Sequence, residues 1–93
     1  MSRQLLPSAA FVRAAKTLAK RNPQAEEAIR AALARLEEDA FHPRLRTHKL
    51  KGEFADYWSC SVAYDLRIVF EIIDTHGQEA IHLLDIGTHD EVY

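Results

Sequence analysis

Cysteine is almost missing: Cys60 stands alone, so no intramolecular disulfide can form, and neither a cysteine-rich zinc site nor an oxidised scaffold is available. Three Gly and three Pro are too few for a fibrous or low-complexity chain. Long hydrophobic runs are lacking too. The uncharged stretch Tyr57 to Tyr64 falls far short of the ~20 apolar residues that a membrane helix needs. Met1-Ser2-Arg3-Gln4-Leu5-Leu6-Pro7 lacks the apolar core of about 7 to 15 residues found in a secretory signal. These absences predict a cytoplasmic protein with no membrane partner.

What is present is ordinary globular material, 47 % hydrophobic and 28 % charged, in a length that fits one domain over residues 1–93. The net charge of −2 hides a division at Lys51. Before it, eleven Lys and Arg face five acids, giving +6; after it, Arg67 alone faces nine acids, giving −8. Clustered bases point to a polyanion, because each phosphate they neutralise releases counterions. The densest cluster is Arg44, Arg46, His48, Lys49 and Lys51.

Periodicity orders the elements. Arg3 to Leu6 reads as a strand, stopped by Pro7, and Ser8 is placed to cap a helix with Phe11, Ala14, Ala15 and Leu18 on its apolar side. Asn22-Pro23 closes that helix and opens another, lined by Ala25, Ile29, Ala32, Leu33 and Leu36 and ended by His42-Pro43. The period then changes to two. Trp58, Cys60, Val62 and Tyr64 point one way, and after a turn near Asp65 so do Leu66, Ile68, Phe70 and Ile72. Arg67 falls on the opposite face. Asp74 to Gln78 is a turn cluster, and Ala80 to Ile86 the last strand. The expected fold is α+β: β-α-α-β-β-β, a helical hairpin on one face of a mainly antiparallel sheet, the other face open.

Strict alternation puts His82 and Asp85 on opposite faces, and their spacing with His76 or His89 fits no compact ligand motif, so no metal site is predicted. Cys60 shares the core face, which argues against a catalytic thiol. No Gly-rich phosphate loop is present.

The run His48-Lys49-Leu50-Lys51-Gly52-Glu53-Phe54-Ala55-Asp56-Tyr57, then Asp65-Leu66-Arg67-Ile68-Val69-Phe70, then Gly87-Thr88-His89-Asp90-Glu91-Val92-Tyr93, resembles the RelE/ParE toxin superfamily, most nearly its YafQ-like branch. The resemblance covers nearly the whole chain and implies the RelE-like fold. It also implies the toxin of a type II toxin–antitoxin pair, a ribosome-dependent endoribonuclease that cuts messenger RNA without metal or cofactor. The substrate's own 2′-hydroxyl would attack, leaving a 2′,3′-cyclic phosphate and a 5′-hydroxyl. The implied partners are a cognate antitoxin, in a hetero-oligomer, and messenger RNA on the ribosome.

That chemistry needs a base, a charge clamp and an acid. His48 and His89 match histidines of the pattern, and an imidazole is the natural candidate to move that proton. Arg67 projects from the open face, where a guanidinium would stabilise the developing phosphorane. Asp65 matches an acidic residue of the pattern, suited to orienting a histidine or acting as base. Tyr93 matches a terminal aromatic that would stack on an unpaired base or protonate the leaving oxygen. Lys49 and Lys51, extended by Arg44 and Arg46, would hold the RNA backbone. Ser61 stands where the pattern commonly has another histidine, Leu66 where it often has tryptophan, and the pI of 6.2 departs from a basic habit. A ParE-like, gyrase-inhibiting toxin and a decayed antitoxin-binding module are the alternatives.

Overall fold

Ser8 and Asn22 start the two helices, as their side chains equip them to do. In the computed structural model, which describes residues 2–88, Ser8 Oγ accepts from the Phe11 amide at 3.0 Å and α1 spans Ala9–Arg21. Asn22 Oδ1 accepts from the Gln24 amide at 2.9 Å. Pro23 then takes the first helical position, where a missing N–H costs nothing, and α2 spans Pro23–Glu38.

Strand β1 (Gln4–Pro7) precedes the helices; β2 (His48–Lys49), β3 (Trp58–Ala63), β4 (Leu66–Thr75) and β5 (Gln78–Gly87) follow. They form one sheet in the order β1-β5-β4-β3-β2, with β1 parallel to β5 and every other pair antiparallel. The α+β architecture agrees with the hydrophobic periods. The addition is β2, whose two residues are too few to display a period. Short 3-10 turns at Pro43–Leu45 and Gly52–Phe54 flank it.

The core lies between the helices and one sheet face. Phe11 from α1 and Ile29, Ala32 and Leu36 from α2 bury against Cys60, Ile68, Phe70, Ile81 and Leu83. Burial pushes the Cys60 thiol up to about 12, which leaves it inert as a nucleophile.

Two register shifts change what strict alternation predicts. Ser61 pairs with Arg67 but Ala63 pairs with Leu66, so Val62 is the extra residue and the turn falls on Tyr64-Asp65. Tyr64 is therefore fully exposed, not part of the inward set. In the next ladder Val69 pairs with Asp85, yet Phe70 pairs with Leu83, making Leu84 the extra residue. Because His82 pairs with Glu71, that bulge brings His82 and Asp85 to the same face, beside Glu71 and Val69. Their expected separation is overturned.

The β4–β5 hairpin closes on His76-Gly77, at φ 55° and 86°. Two positive φ values match the right-handed twist of the flanking strands, and glycine meets the second without strain. Asp74 Oδ1 accepts from the Gly77 amide at 2.8 Å.

Candidate functional site

The face turned away from the helices carries the polar side chains of the central strands. Cross-strand partners share a face, so the register places His48 opposite Ser59, Ser61 opposite Arg67, and Glu71 opposite His82 on this side. It is less open than alternation suggests. Ser59 and Val69 are buried there, Val69 standing between Arg67 and Glu71 along β4.

Arg67 is half-buried, and its Nη1 donates weakly to Ser61 Oγ at 3.4 Å. Its Nε is buried without a hydrogen-bond partner among the described residues. A buried guanidinium donor left without an acceptor is costly, and packing alone gives no return for it.

His48 lies exposed on the short edge strand, and its Nδ1 is 3.0 Å from the Arg46 carbonyl oxygen. A carbonyl only accepts, so Nδ1 carries a proton, and in the neutral ring Nε2 is then the acceptor. That is the tautomer a general base requires. Two strand spacings of ~4.8 Å and two residues of ~3.3 Å separate the His48 and Arg67 Cα positions by roughly 12 Å. Asp65 sits exposed at the β3–β4 turn, two residues before Arg67. His89 and Tyr93 lie outside the described residues.

The predicted basic track divides. Arg44 is exposed in the 3-10 turn, and Arg46 ends it in the left-handed region at φ 51°. Lys49 stands beside the Trp58 ring, its Nζ 5.6 Å from the centroid, while Lys51 leads into the Gly52–Phe54 turn. His48, Lys49, Leu50, Lys51 and Phe54 line one shallow cleft of about 420 Å³.

One pair escaped the sequence reading. His82 Nδ1 meets Glu71 Oε2 at 2.8 Å across the β4–β5 ladder. Strand alternation between Glu71 and Arg67 was the only signal that placed Glu71 on this face, and the bulge hid its partner. Among the described residues no group of three His, Cys, Asp or Glu side chains is arranged to hold a metal ion. No helix there is long and apolar enough to cross a membrane.

This fold is shared with solved bacterial toxins. The chain superimposes on the YoeB/ParE toxin from Agrobacterium tumefaciens with a TM-score of 0.78 at 16 % identity, over 92 % of this chain and 98 % of the other. YafQ from E. coli strain BL21(DE3) gives 0.78 at 16 %, over 98 % of each chain. The E. coli DinJ–YafQ toxin–antitoxin complex gives 0.77 at 17 %, over 100 % and 99 %. Identities this low establish the fold alone. No curated protein matches the chain. The family model described as "Bacterial toxin of type II toxin-antitoxin system, YafQ" matches residues 3–93. The chain therefore belongs to the YafQ family of bacterial toxins of type II toxin–antitoxin systems.

Proposed function

We propose that this toxin is a ribosome-dependent, metal-independent endoribonuclease that cuts messenger RNA through attack by the substrate's 2′-hydroxyl. The observation that carries the reading is the sheet face shared by His48, whose Nδ1 donates to the Arg46 carbonyl, and Arg67, whose buried Nε has no acceptor among the described residues.

In this scheme His48 Nε2 takes the 2′-hydroxyl proton as the oxygen attacks phosphorus. Arg67 stabilises the charge that builds on the phosphorane oxygens, an interaction stronger in the transition state than before it. The 5′-oxygen leaves with a proton from His89 or Tyr93, giving a 5′-hydroxyl and a 2′,3′-cyclic phosphate. Asp65 at the neighbouring turn orients an imidazole, and Arg44, Arg46, Lys49 and Lys51 hold the backbone. The scheme assigns no step to Ser61 beyond its contact with Arg67. A cognate antitoxin covers the site at rest. The solved complex of DinJ with YafQ supports that partner and a hetero-oligomer.

The test is translation of a reporter message by purified ribosomes with the toxin present, followed by primer extension. New 5′ ends in phase with codons are expected. Stalled translation without new ends, or lost supercoiling with purified gyrase, would replace this reading with a binding toxin.

A further inference from the structure

We infer that the cleft beside β2 is a nucleobase subsite, holding the unpaired base of the nucleotide next to the linkage at His48. This rests on the ribonuclease reading and adds to it the aromatic residue Phe54. The argument starts from two kinds of side chain in one place. Lys49 and Lys51 set a positive rim, which selects a polyanion. Leu50 and Phe54 supply an apolar wall, which selects a planar ring. A nucleotide is the ligand that satisfies both, and a cavity of about 420 Å³ falls within the ~300–1,000 Å³ of small-ligand sites.

The wall is held in place by the backbone. The Tyr57 amide donates to the Phe54 carbonyl at 2.9 Å, the Leu50 amide to the Tyr57 carbonyl at 3.0 Å, and the Ala55 amide to the Gly52 carbonyl at 3.1 Å. Phe54 stays 37 % exposed, tilted against Tyr57 with centroids 6.5 Å apart, and stands outside the core cluster. An exposed aromatic on a pinned turn is a stacking surface obtained at little ordering cost. His48 belongs both to this cleft and to the sheet face bearing Arg67, so a strand crossing from Arg67 delivers its next base here. Glu53 in the same turn repels a carboxylate-rich peptide as readily as it repels phosphate. The aromatic wall decides for the nucleotide.

The experiment measures anisotropy of a fluorescein-labelled RNA hexamer, 2′-O-methylated throughout so that it cannot be cut, against wild type, Phe54→Ala and Phe54→Trp. Phe54→Ala is expected to bind about 10-fold more weakly, in line with one lost base stack, and Phe54→Trp as wild type does. Scanning an abasic nucleotide along the hexamer is expected to find one position that erases the difference between wild type and Phe54→Ala. Equal binding by Phe54→Ala, no such position, or no binding by wild type would overturn the subsite. A loss confined to antitoxin affinity would overturn it in favour of a protein partner. A wild type that binds through Phe54 but leaves messages uncut keeps the subsite and removes the nuclease reading. Cut messages with unaltered Phe54→Ala binding do the reverse.

Discussion

The two faces of the sheet obey different rules. On the helix side, Phe70, Ile68, Ile81 and Leu83 are almost wholly buried, and each is explained by apolar area removed from water. On the other side, Arg67 has a buried donor with no partner among the described residues, His48 lies exposed on the edge strand, and Glu71 and His82 pair with each other outside the core cluster. One face is spent on folding; the other carries most of the polar and charged side chains of the central strands. Substitutions should therefore separate cleanly into those that cost stability and those that cost activity.

Phe70→Ala attacks the helix side most severely. It should lose about 3–5 kcal/mol, a large part of what a domain this size holds, and a urea melt reads it directly. Arg67→Ala and His48→Ala test the opposite side. Each should lower message cleavage at least ~100-fold, while the melting midpoint stays close to wild type because neither belongs to the core. A large stability loss in either would break the division between faces.

Smaller changes sharpen it. Gly77→Ala forces a side chain into the left-handed region at φ 86° and should cost about 1 kcal/mol, although the space around it is free. Ser8→Ala removes the α1 cap and should cost about 1 kcal/mol by thermal melt. Cys60 yields the smallest effect, at alkaline pH. Its folded pKa stands above the unfolded value, so the folded thiol keeps a proton that the unfolded chain releases. That stability is complete below pH 9.0 and is lost as pH rises toward about 12. Relative to Cys60→Ala, wild type should lose roughly 0.8 kcal/mol at pH 9.5.

Most of the helix side was legible in the sequence, because burial writes itself as a period. Ser8, Asn22-Pro23 and the stripe of Ile29, Ala32 and Leu36 marked both helices, and Leu66, Ile68 and Phe70 marked the inward set of β4. The other face was legible only in part. Arg67 and His48 stood out by residue type and by the motif around them, but Leu84 and Val62 break alternation through pairing with a neighbouring strand, which one strand's pattern does not record. That is why alternation alone points Tyr64 inward and sets His82 apart from Asp85, against the observed register. The contact of His48 Nδ1 with the Arg46 carbonyl, next to a left-handed residue, is invisible in composition.

Product chemistry tests the central claim most directly. Mass spectrometry of a message cut on translating ribosomes should show 2′,3′-cyclic phosphate and 5′-hydroxyl ends with wild type and intact message with Arg67→Ala. Ends bearing a 3′-hydroxyl and a 5′-phosphate, or equal cutting by Arg67→Ala, would contradict it.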